Sequence, residues 1–262
     1  MNRLAPILKR MTPISLDEVQ TVKLMNRIDN KYLLNKDQVE LLMQHAEHIF
    51  FIQTIDEQQL APYKTLYFDT EDVAMYTMHH NRKLNRQKLR TRCYRSSQTT
   101  YCEIKNKLNT GRTRKLRIPI RPDQYNRIFE DPAVVDFIRQ NLRFDLDSLL
   151  PHVENEFTRI TLVNKEKTER ITIDGDIRFI NHHTGLSADI SELIIIEVKQ
   201  ESHQKSAFKK LLHELNIKPK RISKYCLGTL LTNPQAKYNR FKAKIRYINK
   251  LIPSKTNLFQ QS

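Results

Sequence analysis

A run of alternating cations that doubles back on itself constrains this chain more than any other feature. Residues 88 to 95 read Lys-Leu-Arg-Thr-Arg-Cys-Tyr-Arg, a polar stretch Ser96-Ser97-Gln98-Thr99 follows, and residues 100 to 107 return as Thr-Tyr-Cys-Glu-Ile-Lys-Asn-Lys. Two β-compatible runs around a short polar connection predict a hairpin. Successive side chains of a strand point to opposite faces, so Lys88, Arg90, Arg92 and Tyr94 share one side of the first strand. On the return strand Tyr101, Glu103, Lys105 and Lys107 share a side, with Cys102 and Ile104 opposite. A charged face of this kind is ordinarily the wet face of an antiparallel sheet. Its repetition along the chain argues for more than solvation.

The same construction recurs in further runs. Residues 25 to 34 set Arg27, Asp29 and Lys31 against Ile28, Tyr32 and Leu34, and residues 64 to 70 form another strand candidate. In 114 to 120, Lys115 and Arg117 alternate with Leu116, Ile118 and Ile120, and Pro119 marks an edge or a strand end. Phe157, Arg159 and Thr161 share a face in 156 to 163. Arg170, Thr172 and Asp174 oppose Ile171 and Ile173, with Asp174-Gly175 predicted as the turn. Residues 193 to 201 carry Ile194, Ile196 and Val198 on one side and Glu197, Lys199 and Glu201 on the other. Between these runs lie helical patterns: Asn35 capping a helix through His48, helices within 122 to 150, an amphipathic helix from Ser202 to Leu215, and a helix opened by Ser223-Lys224-Tyr225. Residues 1 to 21 read as a peripheral lead-in, and residues 232 to 262 as an exposed basic helix ending in disorder.

Composition narrows the function classes. Four glycines and no tryptophan leave no glycine-rich phosphate loop to be written, which argues against a dinucleotide-binding α/β fold. Forty-five basic residues against 29 acidic ones give a net charge of +16, a surplus that attracts nucleic acid, acidic lipid or phosphorylated small molecules. Cys93, Cys102 and Cys226 form no CxxC pair and read as free thiols of a reducing compartment. With no signal peptide and no long apolar run, the expectation is a cytoplasmic protein.

A closed antiparallel sheet sends one parity of every strand inward and the other outward. Either the apolar set fills the barrel, or it faces out beneath the helices and the ionisable set lines a polar lumen. The abundance of amphipathic helices favours the second, because their apolar faces need a sheet to cover. Such a lumen holds more cations than Asp29, Glu103, Asp174 and Glu197 can offset, so a polyanion is the natural occupant. Phosphate chains suit it: they are linear, highly charged and matched to guanidinium groups. Aromatic residues are sparse among the basic clusters, so no specific nucleic acid is expected.

In order along the chain, Arg27-Ile-Asp29-Asn-Lys31-Tyr32, Tyr67-Phe-Asp69-Thr70, Lys88-Leu-Arg90-Thr-Arg92, Glu103-Ile-Lys105, Phe157-Thr-Arg159, Arg170-Ile-Thr-Ile-Asp174, Ile196-Glu197-Val-Lys199 and Ser223-Lys224-Tyr225 resemble the VTC-type polyphosphate polymerase domain. That family belongs to the triphosphate tunnel metalloenzymes, or CYTH-like proteins, and the resemblance spans about residues 22 to 231. It implies an α+β fold: a closed antiparallel eight-stranded β-barrel with helices packed outside. The implied activity transfers the γ-phosphate of ATP to growing inorganic polyphosphate, assisted by Mn²⁺ or Mg²⁺. An inorganic triphosphatase, or a non-catalytic module binding polyphosphate or RNA, is the alternative. Carried onto this sequence, Lys31, Arg90, Arg92, Lys105, Arg159 and Arg170 take the catalytic places. Lys88, Lys115, Arg117, Lys199, Ser223 and Lys224 contact substrate, and Glu197 with Glu103 holds the metal. A membrane-associated partner that exports the product is a further expectation. Tunnel triphosphatases carry ExExK on the first strand, where this chain has Arg27, Asp29 and Lys31. The loss of two carboxylates argues for transfer over hydrolysis.

Overall fold

The structure, a computed structural model, describes residues 1–22, 27–201 and 205–253. The Arg27 side chain, the predicted strand start at Met25, the predicted helix start at Ser202 and the predicted disordered end beyond residue 253 lie outside the described residues. The strands are β1 (Pro13–Ser15), β2 (Arg27–Leu34), β3 (Phe50–Thr54), β4 (Ala61–Thr70), β5 (Gln87–Tyr94), β6 (Thr99–Lys107), β7 (Thr113–Ile120), β8 (Leu149–Asn164), β9 (Glu169–Asn181), β10 (Ser187–Asp189) and β11 (Ile194–Glu201). The α-helices are α1 (Ala5–Arg10), α2 (Leu16–Thr21), α3 (Lys36–Ala46), α4 (Ala74–His80), α5 (Pro132–Asn141), α6 (Ala207–Glu214), α7 (Lys224–Thr232) and α8 (Lys242–Leu251).

All eleven strands join one sheet, whose main path runs β2-β11-β9-β8-β4-β5-β6-β7. The strands of that path are the eight anticipated from parity. Among the described residues its two ends, β2 and β7, are not hydrogen-bonded to each other, so hydrogen bonds do not close the sheet into the barrel expected. It is nonetheless strongly curled: Lys105 on β6 is acted on by the charges of Glu197 on β11 and Lys31 on β2, from the opposite end of the path. The expected hairpin forms, and its register sets Lys88 opposite Lys105, Arg90 opposite Glu103 and Arg92 opposite Tyr101.

The apolar parity faces outward beneath helices. Asn35 caps α3, its side chain accepting from the Gln38 N–H at 2.9 Å while the Gln38 side chain accepts from the Asn35 N–H at 3.1 Å, so both ends of the box are satisfied. The helix then buries Val39, Leu42, Met43 and Ala46 against Leu34, Ile171, Ile173, Ile194, Ile196 and Val198. On the other flank Asp131 caps α5, which starts with Pro132 and packs Val134 and Ile138 over Leu66, Phe68, Leu89 and Ile104. The first residues are not peripheral. Met1, Leu4, Ile7 and Leu8 join the same core as α3, and β1 pairs in parallel with β3.

Two readings of local sequence change. Asp174 and Gly175 do not turn the chain, because β9 runs through them to Asn181. Gly175 lets the Met1 and Ile194 side chains lie close over the strand: a Cβ would come 2.4 Å from Met1 Sδ and 2.7 Å from Ile194 Cδ1, and those side chains would have to move aside. The concave face is also not basic throughout. Helix α7 enters one end of it and packs Tyr225, Cys226, Leu227 and Leu230 among Tyr67, Val153, Phe157, Phe179 and Ile195. Gly228 permits that approach, since a Cβ would meet Phe179 Cδ1 at 2.5 Å and Val153 Cγ1 at 2.6 Å. Helix α8, expected to be exposed, seals the same end with Ile245 and Ile248 buried. No helix among the described residues is long and apolar enough to cross a membrane.

Candidate active site

The remaining part of the concave face gathers the cations of β2, β5, β6, β7, β8, β9 and β11. At its centre lies Arg90, 4% exposed, whose Nε and Nη2 donate to Glu103 Oε2 at 2.8 and 2.5 Å and whose Nη1 donates to the Tyr67 hydroxyl at 3.3 Å. Glu103 is fully buried, and its second oxygen pairs with Lys115. Burial alone would push the Glu103 carboxyl up; Arg90, Arg92 and Lys115 outweigh it and hold the group far below the usual carboxylate range. Glu103 is therefore enclosed between two cations and anchors them, instead of standing free as a second metal ligand. Tyr67 follows the same physics: burial would raise its hydroxyl, yet Arg90, Arg92 and Lys88 bring it down.

A second anchor lies on β8 and β9. Arg159 donates from Nε and Nη2 to the two Asp174 oxygens at 2.6 and 2.8 Å, and Lys224, the first residue of α7, pairs with the same carboxylate. Burial pushes the Lys224 ammonium down, Asp174 opposes it, and Arg159 and Lys31 add to the fall, leaving it at about 8. Ser223 caps α7, accepting at Oγ from Lys88 Nζ at 2.9 Å and from the Cys226 N–H at 3.5 Å. Lys31 Nζ donates to the Ile222 carbonyl at 3.3 Å, which fastens β2 to the start of the helix.

The third group surrounds Glu197. Its carboxylate lies 4.0 Å from Lys31 Nζ and 3.4 Å from Lys199 Nζ. Burial would raise it, but Lys31, Lys199, Arg159 and Lys105 keep it well below the usual range. Lys105 has no carboxylate within ion-pair distance among the described residues; Arg90, burial and Arg92 together push its ammonium well below the usual lysine range. Arg92 donates from Nε to Thr65 Oγ1 at 3.1 Å. Arg170 lies further along β9, opposite Lys199, with Nη2 donating to the Val22 carbonyl at 3.4 Å, and Arg117 is exposed on β7, stacked 4.5 Å from the Tyr101 ring.

Sequence reasoning thus finds the cations but misses what carries them. Arg92 and Arg159 lie 5.8 and 4.9 Å from the Tyr63 ring, Arg159 and Lys224 lie 5.3 and 4.2 Å from the Phe157 ring, and Lys88 lies 5.1 Å from Tyr225. Aromatic faces stabilise cations that have lost water. The parity of Tyr63 with Tyr67, and of Phe157 with Arg159, is the signal in the sequence that locates these rings inside. Asp174 also emerges as an anchor.

The fit of a divalent cation follows from the carboxylates. Glu103 and Asp174 are each held by two cations, and no cluster of three or more His, Cys, Asp or Glu side chains suited to a metal exists among the described residues. Glu197 could hold Mg²⁺ or Mn²⁺ only with phosphate oxygens supplying most of the shell, which is how such ions commonly sit in phosphoryl-transfer sites.

The chain is an antiparallel sheet curled around a basic cleft, roofed outside by helices and stopped at one end by α7. The fold is shared with a candidate adenylate cyclase from Bacillus halodurans at 17% identity and TM-score 0.51, covering 83% of this chain and all of that one. It is also shared with a candidate adenylyl cyclase from Hippeastrum, described as having a dominant triphosphatase activity, at 14% identity and TM-score 0.51 over 80% of this chain and 98% of that one. No curated protein matches the sequence. The family model for the VTC domain matches residues 26–233, and the chain belongs to that family.

Proposed function

We propose that this protein is an ATP-dependent polyphosphate polymerase. The observation that carries the reading is the imbalance of the cleft: Arg92 and Lys105 project into it with no acid within ion-pair distance among the described residues, beside a Glu197 already flanked by two lysines. Burying such charges without counter-ions is costly, and a linear phosphate chain relieves the cost along its whole length. Phosphoryl transfer asks mainly for positioning and charge neutralisation, which this lining supplies without a protein nucleophile.

In the proposed reaction a terminal oxygen of the acceptor chain attacks the γ-phosphorus of ATP. The new P–O bond forms as the bond to the β,γ-bridging oxygen breaks, and ADP leaves with that oxygen. Arg90, held rigid by Glu103 and Tyr67, and Arg159, held by Asp174, offer their remaining guanidinium N–H groups to the phosphate oxygens. Lys105, Arg92 and Lys31 neutralise charge on the transferring group and the acceptor, while Lys88 and Lys224 lie beside the start of α7. A divalent ion held by Glu197 and phosphate oxygens would supply further neutralisation of the leaving group.

Hydrolysis is the less favoured chemistry because water needs a base, and Glu103 and Asp174 are each consumed by two cations. The test is incubation with ATP and Mn²⁺, with phosphate-chain length and free phosphate measured separately. Chain growth supports the polymerase. Phosphate release without growth would make the protein a triphosphatase, and absence of both would make it a binding module.

A further inference from the structure

A belt of aromatic rings crosses the concave face, one to a strand. Phe157 on β8 lies opposite Tyr63 on β4, Tyr63 lies opposite Tyr94 on β5, and Tyr101 on β6 is diagonal to Tyr94, since its direct partner is Arg92. The rings touch in that order. Phe157 and Tyr63 stack with centroids 5.2 Å apart and planes 15° apart, Tyr63 and Tyr94 meet edge to face at 5.1 Å, and Tyr94 and Tyr101 do the same at 5.9 Å and 89°. The Arg117 guanidinium on β7 lies 4.5 Å from the Tyr101 centroid and completes the row. The belt is buried at one end and open at the other: Phe157 and Tyr63 are 3% and 9% exposed, Tyr94 and Tyr101 are half-buried, and Arg117 is exposed. The open part is the end of the cleft remote from α7. Along β5, Lys88 meets Ser223 at the start of α7, Arg90 and Arg92 follow on the same face, and Tyr94 ends the strand. Strand residues rise by about 3.3 Å each, so Tyr94 stands about 13 Å along the cleft wall from Arg90, with Arg92 midway. Phe157 and Tyr63 have a task already, because Arg92, Arg159 and Lys224 lie against their faces. Tyr94 and Tyr101 continue the belt past those cations and into solvent, where packing alone gives little reason for large rings.

We propose that Tyr94, Tyr101 and Arg117 form the subsite for the nucleobase of the nucleoside triphosphate, which stacks at the open mouth while its phosphates run inward past Arg92 to Arg90 and Lys105. This rests on the polymerase reading and places the part of the substrate that the phosphate-binding cations do not reach. The subsite does no chemistry. Rings and a guanidinium plane recognise the flat face that every base has, so several bases are accepted and the larger purines bind more tightly than pyrimidines.

Ribose 5′-triphosphate carries the phosphates and charge of ATP without the base, so the pair isolates stacking from electrostatics. The experiment compares equilibrium binding of ATP, ribose 5′-triphosphate and tripolyphosphate to the wild type, to Tyr94→Leu/Tyr101→Leu and to Tyr94→Phe/Tyr101→Phe. Wild type is expected to bind ATP about tenfold more tightly than ribose 5′-triphosphate, the lower end of what one stacked base contributes. The leucine pair is expected to bind the two alike with tripolyphosphate affinity unchanged, and the phenylalanine pair, which keeps both rings, to retain the preference. The single variants Tyr94→Leu and Tyr101→Leu keep the test readable if the leucine pair folds poorly, and each must lower the preference for ATP. Equal affinity for ATP and ribose 5′-triphosphate in the wild type would overturn the subsite, and chain growth from ATP in the same protein would leave the polymerase reading standing. A preference that survives in the leucine variants would put the base elsewhere and overturn it too. Loss of tripolyphosphate affinity equal to the loss for ATP would make the rings supports of the cleft and nothing more. A wild type that binds none of the three would remove the polymerase reading and the subsite together.

Discussion

Lys105→Met separates stability from ligand binding, and the structure gives the sign of both. Lys105 is flanked by Arg90 and Arg92, and has no acid within ion-pair distance among the described residues. In the empty protein its charge is opposed by its neighbours and by lost solvation; methionine keeps the unbranched stem and removes the charge. Relief of an unpaired charge at a site that water still partly reaches is worth about 1–2 kcal/mol, well short of the cost of a fully buried ion. For a chain of this size that raises the melting temperature by about 2–8 °C. With tripolyphosphate at about a hundred times its dissociation constant, the wild type gains about 2.7 kcal/mol by mass action, and the variant gains far less. The assay is a pair of calorimetric melts, with and without tripolyphosphate: the variant melts above the wild type when empty and below it when ligand is present. A variant destabilised when empty, or one shifted by tripolyphosphate as much as the wild type, refutes the argument that Lys105 is an unsatisfied cation awaiting phosphate.

Glu103→Gln has the opposite effect, because it strips the counter-charge from buried Arg90 and from Lys115; the expected loss is about 3–5 kcal/mol of stability, read as a lower denaturant midpoint at unchanged slope. Glu197→Gln is expected to abolish the dependence of turnover on Mn²⁺ or Mg²⁺ while tripolyphosphate binding without metal persists, which titration calorimetry in chelator checks. Lys224 gives a pH dependence. Its ammonium, at about 8, lies below the ordinary lysine value, so from about pH 8 to about 10.4 the unfolded chain binds the proton that the folded one has lost, and this group adds stability as pH rises. The cation offered to phosphate disappears over the same range, so kcat/KM for ATP falls above about pH 8, and Lys224→Arg moves that alkaline limb upward; a profile unmoved by the substitution excludes Lys224 from substrate contact.

Side-chain parity carried most of the fold into view. The alternation at Lys88 to Lys107 fixed which groups face the cleft, and the apolar stripes of α3 and α5 required a sheet surface to cover, so the basic face had to turn inward. The insertion of α7 into the cleft was legible too, though it went unread. Tyr225, Cys226, Leu227, Gly228 and Leu230 make the helix apolar nearly all round, the mark of a buried helix, and a glycine in its middle marks close approach. Asp174-Gly175 misled because Asp-Gly is a strong turn signal locally, while the ion pairs to Arg159 and Lys224 and the packing of Met1 that keep the strand running are contacts distant in sequence. The failure of β2 and β7 to pair could not be read from parity, which says which face a residue takes but not whether two edges meet.

The direct test of the central claim is a crystal structure with a nonhydrolysable triphosphate. The account predicts its phosphates in the cleft, within hydrogen-bond distance of Lys105 and Arg92 and of at least one of Arg90 and Arg159. A triphosphate found on the outer surface, with the cleft groups still paired as in the empty protein, would contradict it.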